Sequence, residues 1–156
     1  SEVEISDSDN RISLEKKLVA KAKLNIVDVI QKISNGLQPV PQVDNNVSYC
    51  RKITKEDGRI NFEETAKEIF NKYRAFSGWP GTYFQYKDTT IKIHGMRIID
   101  LDNNDTPGTI FDVTKDGIHI KVDDSVIVIT HIQLPGKKII NSSDIYNSYK
   151  DFFVKI

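Results

Sequence analysis

An α+β fold is what this 156-residue sequence predicts, on three observations. Apolar residues recur at helical spacing as far as Ile33, the period shortens to two from Thr82 onward, and an Asn-Ser-Ser-Asp start signal precedes a last helical stretch. The expected architecture is a helical N-terminal segment and linker, followed by a five-stranded antiparallel OB-like β-barrel with a C-terminal helix. A chain of about 150 residues buries roughly 68–70% of its unfolded surface, so a full core is within reach.

After a polar lead-in from Ser6 to Asn10, the residues Leu14, Leu18, Ala22, Ile26, Val29, Ile30 and Ile33 share one helical face, which is expected to be buried. Gly36 stands where a helix C-cap belongs. The stretch Leu37 to Asn46, with Pro39, Pro41, Asp44, Asn45 and Asn46, reads as a linker. A second helix is expected to start at Asn61 as N-cap, with Glu64 as its capping-box partner, and to bury Phe62, Ala66, Ile69, Phe70 and Tyr73. It must stop before the Gly78-Trp79-Pro80-Gly81 corner. Five strands are expected over Thr82 to Tyr86, Thr90 to Asp100, Gly108 to Val113, Gly117 to Val122 and Ser125 to Leu134. The turns between them are Lys87-Asp88, Asn103 to Asp105, Lys115-Asp116 and Asp123-Asp124. Every acidic residue after Thr82 is Asp, which suits turns because Asp can hydrogen-bond its own backbone. Strands this short must protect their edges, and a small closed barrel does so; Gly95 inside the longest strand supplies a place to bend. A flat five-stranded sheet is the alternative. Ser143 and Asp144 open a final helix through about Lys150, with Ile145 and Tyr149 on one face.

Lys plus Arg and Asp plus Glu both number 22, and this balance argues against a charge-driven coat on nucleic acid or membrane. The middle of the chain is nevertheless mildly basic: Arg51, Lys52, Lys55 and Arg59 fall within nine positions, opposed by Glu56 and Asp57. A second basic pair, Lys137-Lys138, follows a Pro-Gly turn. Cys50 is the sole cysteine, so no intrachain disulfide can form, and a reducing cytoplasm fits. There is no apolar run of about 18 residues and no secretory leader, so no membrane association is expected. The chain opens at Ser1 without an initiator Met, as a processed chain or a fragment would.

Catalytic motifs are missing. There is no Gly-x-Gly-x-x-Gly, no Walker loop and no Gly-x-Ser-x-Gly elbow, and Gly136-Lys137 lacks the lead of a P-loop. His94, His119 and His131 all fall in expected strands; alternation leaves His119 and His131 free to meet across strands, but no zinc-ligand spacing surrounds them, and no metal is expected. Adjacent carboxylates such as Glu63-Glu64 point apart and read as cap and turn residues. Trp79, before Pro80 at a helix-to-strand corner, reads as core, with base stacking as the functional alternative. Arg74, beside Phe70, Tyr73 and Phe76, reads equally as a structural ion-pair partner or a phosphate contact.

The string from Tyr49 to Phe62, Tyr73-Arg74-Ala75-Phe76 and Trp79-Pro80-Gly81-Thr82-Tyr83-Phe84 resembles the part of bacterial methionyl-tRNA formyltransferases that joins the catalytic domain to the C-terminal domain. Pro107-Gly108-Thr109-Ile110, Gly117-Ile118, Leu134 to Lys138 and Ser143 to Ser148 agree in order, so the resemblance covers most of the chain. Sugar N-formyltransferases and formyltetrahydrofolate dehydrogenase share an Arg-Ala-Phe or Trp-Pro-Gly-like element. The Lys52-Ile53-Thr54-Lys55-Glu56 block and the Gly136-Lys137-Lys138 turn are closer to the tRNA enzyme. Gly58 stands where a small residue such as Ala is usual, and either is expected to be tolerated.

The resemblance implies that residues 1–36 are the terminal helical segment of a catalytic domain, 37–60 a linker and 61–156 the C-terminal domain. The intact enzyme would move a formyl group from 10-formyltetrahydrofolate to methionyl initiator tRNA. The family's catalytic residues and folate loops map onto nothing here; they belong to an N-terminal catalytic domain in cis. This chain is expected to hold no cofactor and to position tRNA, with Arg51, Lys52, Lys55, Arg59, Arg74, Lys137 and Lys138 as phosphate contacts. The other reading is a protein-interaction module, docking through the Leu14 to Ile33 stripe, or the C-terminal domain of a sugar N-formyltransferase type.

Overall fold

Asn10 ends the polar lead-in and caps the first helix. Its side-chain oxygen accepts from the amides of Ile12 and Ser13 at 2.9 and 3.0 Å, and Ser13 Oγ accepts from the Asn10 amide at 3.0 Å. That helix, α1, runs Arg11–Ser34 in the computed structural model, which describes residues 2–41, 47–101 and 104–154. Just before the cap, Asp9 accepts from Lys17, Ser6 and Ser13, and these partners hold its carboxyl far below the usual carboxylate range. At the other end Gly36, at φ 88°, takes the left-handed conformation; its amide donates to Ile33 and the Leu37 amide to Lys32, a Schellman closure. The apolar face expected to be buried is not: no residue of α1 is buried, because its compact unit, Ser1–Ile53, has no second helix or strand among the described residues. Asp44, Asn45 and Asn46 of the expected linker, and Asn103 of an expected turn, lie outside the described residues.

The second unit, Thr54–Ile156, opens with a 3₁₀ turn at Glu56–Gly58 and a helix α2 at Ala66–Ala75. The helix starts later than expected. Thr65 is the N-cap, accepting from the Glu68 amide, while the Glu68 carboxylate accepts from the Thr65 amide and hydroxyl at 3.0 and 2.7 Å. Asn61 instead folds its side chain onto the Glu63 amide in a local turn, and Asp124 supplies a second acceptor to the helix start at Ala66. Two capping signatures compete four residues apart, and the later one also has a tertiary partner.

Six strands follow where five were expected: β1 (Thr82–Tyr86), β2 (Thr89–Ile99), β3 (Ile110–Thr114), β4 (Gly117–Lys121), β5 (Val126–Gln133) and β6 (Ile139–Asn141), then α3 (Ser142–Phe153). β6 spans three residues, too few for a period to show. All ladders are antiparallel, in the order β1-β2-β5-β4-β3, with β6 pairing β5 beyond the stretch that β4 occupies. The expected closed barrel is not what these ladders make, since no β1–β3 ladder joins the ends among the described residues. The outer edge of β1 is met by the segment before α2, with Arg59 bridging Tyr83 and the Ile60 amide donating to Tyr83 O at 2.8 Å. The bend anticipated at Gly95 appears as register shifts on both sides of it, where a Cβ would collide with Thr130 and His131.

Inside the sheet lie Phe84, Ile91, Ile118, Ile120, Ile127, Ile129 and Ile132, joined by Ile69 of α2 and Ile145 of α3, all at most 1% exposed. Each such side chain contributes roughly 1.5–3 kcal/mol relative to exposure. This core fixes which residues of β1 and β2 face outward.

Candidate nucleic-acid interface

Asp57 sets the approach to β1, its carboxylate accepting from the Thr54 amide at 2.7 Å and closing the turn that carries Lys55. The Gly58 amide donates to Lys55 O and the Arg59 amide to Glu56 O, so Lys55 and Arg59 leave this turn on different sides. Two clefts result. The larger, about 710 Å³, takes Arg59 and Lys72 together with Glu56, Asp57, Glu63 and Glu64, so four carboxylates oppose two cations. Lys72 is already held by both Glu64 oxygens at 3.0 Å. A polyanion gains nothing there, and Arg59 sits among carboxylates.

The second cleft, about 420 Å³, has the opposite character. Lys55, Lys92 and His94 line it with Tyr73, Trp79, Thr82 and Tyr83, and no carboxylate is among its lining residues. Lys92 and His94 flank buried Ile93 on β2, and alternation puts both on the outward face. Tyr73, from α2, donates to His94 O at 3.1 Å, and burial pushes its phenol up from the ordinary tyrosine value. Trp79 is 58% exposed, contrary to the core placement expected for it. The loop carrying it is pinned by the Gly81 amide on Phe76 O at 3.0 Å, so the indole stands at the rim and not under the sheet.

From this cleft a row runs across the sheet: Tyr83 opposite Lys92, Lys92 opposite Gln133, Gln133 opposite Ile139. Three strand spacings make it about 14 Å long. Gln133 ties its parts together, donating from Nε2 to Lys137 O at 2.9 Å and accepting at Oε1 from His94 Nε2 at 3.2 Å. The turn at the far end is type II, with Pro135 followed by Gly136 at φ 69° and the Lys137 amide donating to Leu134 O. Lys137 and Lys138 emerge from it exposed to solvent. Lys55 and the Lys137-Lys138 pair, far apart in sequence, therefore bound one outward face.

The other expected contacts are placed differently. Arg51 and Lys52 belong to the unit Ser1–Ile53, exposed, with an Arg51 nitrogen donating to Lys52 O at 3.2 Å. Arg74 is half-buried in the last turn of α2, its Nε donating to Asn71 Oδ1 at 2.9 Å. His119 and His131 do not meet: His119 stands opposite Val128 of β5, three positions along that strand from His131. Burial lowers the pKa of His119, which contacts Thr114 Oγ1 at 3.2 Å. No group of three or more metal-binding side chains occurs among the described residues. Lys92 and Tyr83 are not among the expected contacts, and His94 is expected only as a strand residue, although the period of two places Lys92 and His94 on one face.

Fold and cleft together define an α+β module, a six-stranded antiparallel sheet packed by helices on its core side and bearing cations and aromatic rings outward. Residues 52–150 match the family model "Formyl transferase, C-terminal domain", and the chain belongs to that family. Methionyl-tRNA formyltransferase of Caldicellulosiruptor saccharolyticus is 37% identical over 150 residues, 95% of this chain and 48% of that protein. The protein of the same name from a Sulfurihydrogenibium species is 36% identical over 151 residues, 96% of this chain and 49% of that one. The chain thus spans about half the length of these curated relatives. A variant of HypX from Aquifex aeolicus has a similar fold, with a TM-score of 0.63 at 17% identity over 94% of this chain and 27% of its own. HypX in complex with tetrahydrofolic acid aligns with a TM-score of 0.55 at 17% identity, over 84% of this chain and 23% of that one. No helix among the described residues is long and apolar enough to cross a membrane.

Proposed function

We propose that this chain is the tRNA-holding C-terminal portion of a cytoplasmic methionyl-tRNA formyltransferase. The observation that carries this reading is the 36–37% identity, over 94–96% of the chain, to proteins of that name. The outward face bounded by Lys55, Lys92, Lys137 and Lys138 supports the RNA role. Residues 1–36 then end the catalytic domain, 37–60 link, and 61–156 form the C-terminal domain, whose bent sheet presents one face to RNA as OB-type barrels do.

The intact enzyme transfers a formyl group from 10-formyltetrahydrofolate to the α-amino group of methionyl initiator tRNA. The amine attacks the formyl carbon while a base takes its proton and donors hold the developing oxyanion. The exposed lysines of this chain suit phosphates, not a folate ring system, and the donor is assigned to the half of the relatives that the chain does not span. What these residues do is hold the tRNA so that its acceptor end arrives positioned. Lys55, Lys137 and Lys138 lead as phosphate contacts, with Arg51 and Lys52 from the preceding unit. Arg59 is the weakest of the set because of its acidic neighbours, and Arg74 acts through the α2 terminus.

Titration of the 156-residue chain with initiator tRNA at rising salt tests this. Binding at low salt should weaken linearly on a log–log plot, and K137A/K138A should reduce the slope by roughly one unit per lost phosphate contact. Absence of tRNA binding at low salt defeats the reading.

A further inference from the structure

Lys137 and Lys138 leave the strand ladders on the connection between β5 and β6, which runs from Leu134 to Lys138, and both are exposed. A basic turn that its ligand has to order binds less tightly than one already held, because association then removes backbone freedom as well. Here the backbone of Lys137 is held at both of its polar groups. Its amide donates to Leu134 O at 3.0 Å, closing the type II turn, and its carbonyl accepts from Gln133 Nε2 at 2.9 Å. The first bond belongs to the turn itself. The second comes from a side chain of β5, and it fixes the peptide plane from which Lys138 departs.

Gln133 does this in one orientation only. With Nε2 on the Lys137 carbonyl, Oε1 faces His94 Nε2 at 3.2 Å; the reverse orientation would set the amide oxygen against the carbonyl oxygen. His94 therefore carries its hydrogen on Nε2, and its own backbone is held by the Tyr73 hydroxyl, 3.1 Å from His94 O. Gln133 is half-buried and stands opposite Lys92 of β2 and Ile139 of β6. A continuous line of hydrogen bonds thus runs from α2 through β2 and β5 to the basic turn.

We infer that Gln133, oriented by His94, is a positioning residue for RNA binding. It touches no phosphate; it holds the Lys137 backbone so that the Lys137 and Lys138 ammonium groups meet phosphates from a turn that is already ordered. This deepens the proposed tRNA role and rests on it.

A double-mutant cycle on the 156-residue chain, read by the anisotropy of labelled initiator tRNA, separates positioning from contact. Q133L removes the amide and keeps the bulk, and it should weaken binding roughly two- to tenfold, the range for one lost hydrogen bond. In the K137A/K138A background the backbone carbonyl of residue 137 and its bond to Gln133 remain. There Q133L should leave the affinity unchanged, while lowering the Tm as much as it does in the native background. H94A should weaken binding less than Q133L, and H94Q, which keeps a donor toward Oε1, should restore it. Circular dichroism checks each fold; if Q133L is unfolded, H94A and H94Q go through the same cycle and decide. A loss of equal size with and without the lysines overturns the inference, since Gln133 would then contact RNA itself or act through global stability. Full affinity in folded Q133L or H94A overturns it as well. Either result leaves the tRNA reading standing, whereas no tRNA binding at low salt overturns both.

Discussion

Gly58 shows how much one hydrogen can decide. A Cβ at this position would collide with the backbone carbonyl of Gly81 and come within 3.6 Å of Pro80. The turn before β1 and the loop that presents Trp79 pass each other here with room for nothing larger, so the expectation that Ala would serve equally well is corrected. Its φ is not left-handed; the constraint is close approach, and backbone cannot yield as a side-chain tip does. G58A should therefore cost about 1–3 kcal/mol in urea unfolding, and it should alter Trp79 emission because relief of the clash moves Gly81. A variant with unchanged midpoint and spectrum would count against this packing. Gly117 is a related case in a hairpin: at φ 142° it also has the Ile129 backbone against the position of any Cβ.

Among the helices, α2 starts four residues after its expected cap, at Thr65 and not at Asn61. Both Asn61 with Glu64 and Thr65 with Glu68 satisfy the capping pattern, and local sequence does not choose between them. The choice falls to Asp124, sixty residues away in round terms, which accepts from the Ala66 amide at 2.7 Å across the sheet end. T65A should remove about 1 kcal/mol at neutral pH. The sign with pH follows from Glu68, whose carboxyl is held below its ordinary value first by the Thr65 hydroxyl and then by the Thr65 amide. A depressed carboxylate stabilises the fold above its unfolded pKa and loses that contribution as pH falls through the folded value. The stability gap between the native chain and T65A should accordingly shrink as pH falls through and below the ordinary glutamate range; a gap that stays constant below that range, while the chain remains folded, would show that Glu68 takes no part. Strands were easier to place than helices here, because a hairpin such as β1-β2 declares itself by period and turn within eighteen residues, Thr82 to Ile99. β6 escaped because its pairing with β5 comes from the Pro135-Gly136 turn, not from any pattern of its own.

For the whole molecule, the equal totals of 22 basic and 22 acidic residues conceal a separation that folding produces. One cleft collects Glu56, Asp57, Glu63 and Glu64, while the other collects Lys55 and Lys92 without a carboxylate. Assay of the purified chain with methionyl initiator tRNA and 10-formyltetrahydrofolate should give no turnover above background, and sustained formylation would refute the assignment of chemistry to the missing half of its relatives. The sequence by itself determined the fold class, the strand alternation, the Gly36 end of α1 and the family, because each rests on neighbours within a few positions or on motifs in fixed order. Only the tertiary structure decided that Trp79 faces water, that the sheet leaves its ends unpaired, and that Lys55 and Lys137 border one face. Those outcomes depend on which strand lies beside which, and register between distant segments is set by how the core packs, not by any local period.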